Sequence, residues 1–487
     1  MKPLSWIDNF LNSITMYRLV LYGLFVISAV GIFFGFSGIL DYSGFFLIIS
    51  AAALLISCYI SNLIFSKIFR VPVNSESAFI TALILFLILS PAANFDEFSI
   101  LALAGLLSMA SKFLIAPLKK HIFNPAAFGA AAIFLLNIGG AIWWVANLPM
   151  LPIVSAVGLL VVRKIRRFDL FLSFLVAGLA SIYYFNGIFA EALVSWPILF
   201  FGTIMLTEPL TTPPKVKWRI AYGILIGLLF GSQFNIWRIF PTPEIVLLLG
   251  NIFSYAVGFK RKIILEFKEK SLIAKDTYEF IFSPPKKLRF TPGEYLEWTL
   301  PHKNPDTRGV RRYFTIASSP TEKDIKIGIK IINPSSSFKT ALSNLKKGSN
   351  IFAGQLDGDF ILPQKKEIKI AFIAGGIGIT PFRSMIRFLI DRGEKRDITI
   401  FYAVNNPEDI AYKDILSEAE KKIGLRTEYI VRQFISAELL KEKLPDWDER
   451  TFYISGPDPM VRSIKRILLN VGVARRKIVT DYFPGYA

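Results

Sequence analysis

The sequence predicts a polytopic α-helical membrane domain of about ten spans, residues 1–260, followed by an antiparallel β-barrel, 261–364, and a doubly wound α/β domain, 365–487. Three observations carry this. Long apolar runs stop at Lys260-Arg261-Lys262, short strands with turn residues follow, and from Ile368 strands alternate with helices behind a glycine-rich turn.

The apolar half comes first. With 487 residues, 53% of them hydrophobic and 44 of them Phe, the chain is too apolar for one soluble domain. Candidate spans of roughly the 20 residues a bilayer requires lie near 17–40, 43–66, 77–91, 97–117, 124–140, 148–162, 168–186, 188–207, 218–236 and 243–259. Basic residues fall in every second connection: Lys67 and Arg70, Lys112 to Lys120, Arg163 to Arg167, Lys215 to Arg219, and Lys260 to Lys262. The intervening connections carry Asp41, Asp96, Glu97 and Glu191, with Arg238 the one basic residue. The positive-inside rule then puts both termini and the C-terminal half in the cytoplasm, on a multi-pass cell (inner) membrane protein. The first apolar stretch lacks a small-residue cleavage site and is read as a retained helix. The net charge of +19 is this loop excess, so the lipid bilayer is an expected partner and nucleic acid is not. Leu89-Ser90-Pro91 and Thr207-Glu208-Pro209 end short segments five spans apart, the pattern of an inverted repeat as well as of ordinary helix ends.

Composition also excludes chemistry. The one cysteine, Cys58, rules out a disulfide, an iron–sulfur cluster and a structural zinc, and two histidines, His121 and His302, cannot supply bis-histidine haem. No metal site is expected. Glu76, Glu208 and His121 read as interfacial charges at helix ends, and no acidic residue stands out at the middle of a span.

In the polar half, strands are expected at Ile263–Phe267, Thr277–Phe282, Tyr295–Leu300, Phe314–Ala317 and Ile325–Ile331. The segment Arg311 to Pro320 holds Arg312, Tyr313, Phe314 and Thr315. A guanidinium there suits a pyrophosphate, Phe314 suits the face of a flavin ring, and Thr315 suits its N5. Ser336, Ser337, Phe338 and Lys339 precede a helix whose first N–H groups, with the lysine, would cradle a second phosphate. Ile368 to Ala374 runs into Gly375-Gly376-Ile377-Gly378-Ile379-Thr380-Pro381, with Thr380 expected as the helix cap, a turn suited to a dinucleotide. Thr451–Ile454 leads into Ser455-Gly456-Pro457, expected beside the nicotinamide. The expected cofactors are FAD and NADH or NADPH, with a lean to NADH, because Asn405-Asn406-Pro407-Glu408-Asp409 is uncharged or acidic and only Arg432 is basic nearby.

With these motifs in order, Lys262–Ala487 resembles the ferredoxin–NADP reductase family. The resemblance implies FAD held by Arg312, Tyr313, Phe314, Thr315 and Ser336 to Lys339, a dinucleotide held by Gly375 to Pro381 and Gly456-Pro457, and Thr315 and Ser455 at the hydride-transfer site. It departs in Phe314 for Tyr, Lys339 for a small hydroxyl residue and Ser455 for Cys. It also implies an aromatic near the flavin, which points to the tail Asp481–Ala487 and to Phe483.

Asn74 to Ala78, Ser111 to Phe113, His121 to Ala127 and Leu206 to Leu210 look like the membrane subunits B and D of the sodium-pumping NADH:quinone oxidoreductase and Rnf complexes. Those subunits carry FMN on a Thr of a Ser-Gly-Ala-Thr motif that this chain lacks, so a non-covalent flavin or a quinone is the expectation for this half. Three functions remain open: a membrane-wired reductase passing electrons to a quinone, a bound flavin or a soluble electron carrier; a redox-driven ion pump; and a transporter with a regulatory reductase domain.

Overall fold

The structure, a computed structural model, describes residues 7, 10–11, 14–71, 73–117, 120–189, 191–233, 240–258, 262–306 and 308–483, except the side chains of 193, 195, 482 and 483. Lys119, Arg238, Lys260 and Arg261 of the charge pattern, most of the first 13 residues, and the tail 484–487 lie outside these. The chain divides into two compact units, Met1–Arg261 and Lys262–Ala487.

The first unit contains α1 (Met16–Phe36), α2 (Gly44–Ile68), α3 (Ser75–Ile88), α4 (Phe95–Leu114), α5 (Pro125–Leu135), α6 (Leu151–Ile165), α7 (Phe168–Asn186), α8 (Val216–Phe230) and α9 (Pro243–Val257). Among the described residues only α1, α2, α4 and α7 are long and apolar enough to cross a membrane, so the expectation of about ten spans is corrected to four candidates. The others are cut short by recognisable signals. Asn74 and Asn124 accept N–H bonds at the starts of α3 and α5. α3 ends at the extended Leu89, two residues before Pro91, and Trp196 is extended before Pro197, so the eighth stretch breaks into Ala192–Ser195, Ile198–Phe200 and a π turn, Phe201–Met205.

The short α3 is not a surface helix. Leu83 to Ile88 are all at most 5% exposed, and the helix ends inside the unit. Its last carbonyls are met by the irregular segment 141–145: Trp144 Nε1 donates to Phe86 O at 2.6 Å, Val145 N to Leu87 O, and Ile142 N and Trp143 N to Ile88 O. Such pairing is what an apolar interior demands of an interrupted helix. Neighbour relations recur between the two halves of this unit. α1 packs on α3 as α6 packs on the π turn, α2 on α4 as α7 on α8, and α4 on α5 as α8 on α9. The halves meet where α1 touches α6 and α5 touches α9.

The second unit opens with β1 (Ile263–Ala274), β2 (Thr277–Ser283), β3 (Tyr295–Thr299), β4 (Arg311–Thr315), β5 (Ile325–Lys330), the short helix α10 (Ser337–Ser343) and β6 (Asn350–Asp357). These strands form one antiparallel sheet, ordered β4-β3-β6-β1-β2-β5. The predicted barrel is therefore a curled six-stranded sheet; its edges approach where Ala317 N donates to Lys326 O at 2.8 Å. β6, which the sequence analysis did not assign, pairs with both β1 and β3 at the centre.

Behind it, β7 (Ile370–Gly375), α11 (Thr380–Arg392), β8 (Ile398–Val404), α12 (Lys413–Ile423), β9 (Arg426–Val431), α13 (Ala437–Lys443), β10 (Thr451–Pro457), α14 (Asp458–Asn470) and β11 (Ile478–Phe483) build a parallel sheet ordered β11-β10-β7-β8-β9. The central β7 is buried at every residue, as a strand covered on both faces requires. At its N-terminal edge Arg450, 1% exposed, donates to both oxygens of Asp446, to Asp397 and to Ile370 O.

Replacing Arg450 by Met leaves Ile370 O without its buried donor, while Asp446 keeps Lys369 and the exposed Asp397 keeps Arg426; the expected cost is about 1–3 kcal/mol, read as an earlier denaturant midpoint of the C-terminal unit. The hydrogen bond from Arg450 holds the Asp446 carboxyl at about 2, below its ordinary 3.8, against the opposing effect of burial. A depressed carboxyl stabilises above its unfolded value, so this contribution falls away as pH drops from about 4 through about 2 in the parent and is smaller in the variant, where Lys369 alone remains beside Asp446.

Candidate functional site

The alternation of β4 sorts its side chains. Arg312, 7% exposed, and Phe314 share one face, where Phe338 lies beneath both, 5.2 Å from the guanidinium and 5.9 Å from the Phe314 ring. Tyr313 turns to the other face, stacks edge-on against Tyr295 and donates to Glu297 Oε2 at 2.8 Å. Tyr313 is thus not grouped with Arg312 and Phe314. Thr315, at the strand end, is 4% exposed, and its hydroxyl has no partner among the described residues.

The expected cradle of free N–H groups at the start of α10 is not what the structure contains. Ser336 caps the helix by accepting from Lys339 N, and Ser337 N donates to Asp306 Oδ2 at 3.1 Å. Ser337 Oγ accepts from Asp306 N and meets His302 Nε2 at 3.0 Å. Small polar side chains satisfy these amides locally, as they do at many helix starts. What converges here instead is positive charge. Burial, then the neighbouring charges of Arg308 and Arg312, push the Lys339 ammonium below its ordinary value, and its Nζ donates to Lys330 O. Asp306 lies among these cations. Burial opposes its ionisation but is outweighed by the N–H and charge of Arg308, the charge of Arg312 and the Ser337 N–H, so its carboxyl is held below the usual range. Sequence reading missed Asp306 and Arg308.

On the parallel sheet the glycine-rich turn is a 3₁₀ turn, Gly376–Ile379, and α11 begins at Thr380 with Pro381 in its first turn. Thr380 is the first helical residue rather than the cap; its hydroxyl donates back to Ile377 O at 3.2 Å. Gly376 has φ +51°, a conformation that favours glycine. Gly378 answers a different need: a Cβ there would lie 2.4 Å from Ser455 O and 2.6 Å from Gly456 Cα. Ser455 pairs with Ala374 across β10 and β7, so the two turns are neighbours at the carboxyl edge of the sheet, where open α/β sheets bind ligands. β10 continues through Gly456 and Pro457 and passes straight into α14. Ser455 is fully buried, and its Oγ has no partner among the described residues. Phe483 pairs by its backbone with Pro457, while its side chain and the tail lie outside the described residues.

The two layers are joined by α11. Arg383 Nη1 donates to Ala317 O at 3.1 Å, its guanidinium pairs with Glu322, and Ser384 Oγ donates to Ser318 O at 2.7 Å.

In the first unit, a cleft open to solvent is lined by Tyr17, Ser77, Thr81, Asn124, Thr207 and Glu208 among apolar residues. Asn124 Nδ2 donates to Glu208 Oε2 at 2.9 Å, and Asn251 Oδ1 accepts from Asn124 N. Elsewhere Glu244, 1% exposed, accepts from Trp143 Nε1 at 3.3 Å. A buried acidic residue was not apparent in the sequence.

The C-terminal residues fit a flavin and a nicotinamide dinucleotide. A buried hydroxyl without a partner is costly, and Thr315 and Ser455 each offer one. Arg308, Arg312 and Lys339 supply positive charge for phosphates. Residues 372–466 match the family model described as the oxidoreductase NAD-binding domain. The glycine betaine monooxygenase reductase subunit of Chromohalobacter salexigens is 26% identical over 211 residues, 40% of this chain and 56% of that protein. This chain therefore spans little more than half the length of that relative. A flavohemoprotein of Bacillus anthracis is 23% identical over 315 residues, 59% of this chain and 75% of that one. Among solved structures, the cytochrome P450 reductase of Amycolatopsis has a TM-score of 0.42 and 20% identity, covering 47% of this chain and 71% of that one.

Gly378→Ala would push the turn off β10, and overpacking of this kind costs typically about 1–3 kcal/mol. The expected result is a lower unfolding temperature together with weaker nucleotide binding by calorimetry. The C-terminal half of the chain is similar to the ferredoxin–NADP reductase-type family of FAD- and NAD-binding oxidoreductases.

Proposed function

We propose that the protein is a membrane-bound reductase that takes electrons from a reduced nicotinamide through FAD and delivers them to an acceptor in or beside the cell membrane, with both termini and the reductase unit on the cytoplasmic side. The observation that carries the enzymatic part is the close approach of the Gly376–Ile379 turn to Ser455-Gly456 at the carboxyl edge of a sheet that α11 fastens to the segment following Thr315. When bound, FAD accepts a hydride as an electron pair and releases electrons singly, which suits it to join a dinucleotide to a one-electron carrier.

The residues divide the work. Arg312 and Lys339 hold flavin phosphates, with Arg308 beside them, while Phe314 covers the ring. Ser336, Ser337 and Phe338 fix the position of Lys339. Thr315 places its hydroxyl at the reacting edge of the flavin, and Ser455 packs and hydrogen-bonds beside the nicotinamide. Gly375, Gly376, Gly378, Thr380, Pro381, Gly456 and Pro457 shape the floor on which the dinucleotide lies.

Membrane attachment is supported by the four long apolar helices and the alternation of basic connections. The cleft between Ser77, Asn124 and Glu208 is the candidate seat of a quinone or a non-covalent flavin. A second reading, redox-driven ion translocation, is favoured by Glu244, since an acidic side chain buried in an apolar helical unit is costly unless it has a role. Reconstituting the full chain in liposomes with a lipid quinone and adding NADH outside tests both. Quinone reduction supports the acceptor reading, and an accompanying change in lumenal pH or sodium supports translocation. Flavin reduction without quinone reduction would sink the membrane acceptor.

NADH is the expected donor. The loop after β8 carries Glu408 and Asp409, and the Arg432 guanidinium donates to Asn406 Oδ1 at 3.0 Å, a poor setting for a 2′-phosphate. Steady-state kcat/KM is expected to favour NADH over NADPH by about tenfold or more, a difference of about 1.4 kcal/mol; a preference for NADPH would reverse the assignment.

A further inference from the structure

Asp306 has no part in the roles assigned above, yet its carboxylate is bound by groups that those roles give to the cofactor. Oδ1 accepts from Arg308 N at 2.9 Å and from Arg312 Nη2 at 3.3 Å. Oδ2 accepts from Ser337 N at 3.1 Å and from Arg308 Nη2 at 3.1 Å. Arg312 is otherwise turned inward, its Nη1 donating to the carbonyls of Arg308, Gly309 and Arg311. A carboxylate oxygen and a phosphate oxygen ask for the same donors, N–H groups in planar or convergent array, at the same distances.

We infer that Asp306 is an internal competitor for the flavin phosphates: it occupies donors of Arg308 and Arg312, and a phosphate that engages them must displace its carboxylate or lie beside it at the cost of like-charge repulsion. This rests on the assignment of FAD to the C-terminal unit. Asp306 therefore sets how tightly the cofactor is held. It keeps Arg308 and Arg312 from repelling one another in a partly buried site, and it lowers affinity in doing so.

The consequence is opposite to that of a simple strut. If Asp306 only braced Arg312 and α10, removing its charge would loosen the flavin site. As a competitor, its neutral isostere frees Arg308 and Arg312 for phosphate while preserving shape.

The test is flavin binding rather than turnover. Full-length protein in detergent, stripped of flavin, is titrated with FAD and separately with riboflavin, which has no phosphate, and the quenching of flavin fluorescence gives Kd. Asp306→Asn is expected to bind FAD roughly tenfold tighter than the parent, with riboflavin unchanged. Asp306→Glu, which keeps the charge, is expected to bind FAD no tighter than the parent. Asp306→Ser is read alongside and is expected to tighten FAD as the Asn variant does. Unchanged or weaker FAD binding in the folded Asn and Ser variants overturns the inference. Loss of the cooperative thermal transition in both also overturns it, since Asp306 would then be structural. A parent that binds no FAD refutes the cofactor assignment instead, so the two failures are distinguishable.

Discussion

The C-terminal unit depends on one buried cation. Arg383, 4% exposed, projects from the first turns of α11, bonds Ala317 O on the curled sheet, and pairs with Glu322, whose carboxyl its hydrogen bond and charge hold below the usual range despite burial. Buried pairs of this kind often add little net stability, because desolvation offsets the attraction, but removing either partner leaves a charge stranded. Their value here is in registry. With Ser384 on Ser318 O, the pair fixes the segment after Thr315 to the helix that begins at Thr380. Flavin-side and nucleotide-side residues are therefore set by the same helix.

Periodicity explains what was legible in the fold. Strands that alternate or that form apolar runs before a glycine turn, such as β2 and β7, were assigned near their true bounds. β6 was not assigned, because Asn350–Asp357 carries Gly354 and Gln355, the latter at φ +48°, and lacks a sustained alternation. Closure of a sheet is a tertiary property, so a barrel and a curled sheet have the same local signature. Span counting erred for a related reason. Hydropathy reports that a segment avoids water and does not say whether lipid or protein surrounds it; α3 is apolar because protein covers every side of its second half.

In the site, residues whose chemistry is local were readable and residues whose chemistry depends on a distant partner were not. Arg312, Phe314 and Lys339 stand in a recognisable order. Asp306 and Arg308 sit in the connection from β3 to β4, where no periodicity operates, and their meaning comes only from the approach of Ser337, 31 residues away from Asp306 in sequence. Tyr313 is a different case. The period of two already puts it opposite Arg312 and Phe314, so strand geometry alone separates it from a motif whose letters include it.

The first unit shows the same dependence on distant partners in an apolar setting. α3 ends within the unit, and its carbonyls at Phe86, Leu87 and Ile88 are paired only because residues 141–145 return to meet them. At its other end Asn74 caps the helix, Lys112 Nζ reaches Ser77 Oγ at 3.0 Å, and the cleft with Asn124 and Glu208 opens. Leaving helix ends unpaired in such an interior costs several kcal/mol each, so an interrupted helix persists only where a second segment is committed to repairing it. Holding a soluble enzyme at a membrane requires one uninterrupted helix and no such repair. The interrupted helices bring helix starts and polar side chains to one cleft, and the segments that pair their ends are what hold it in shape.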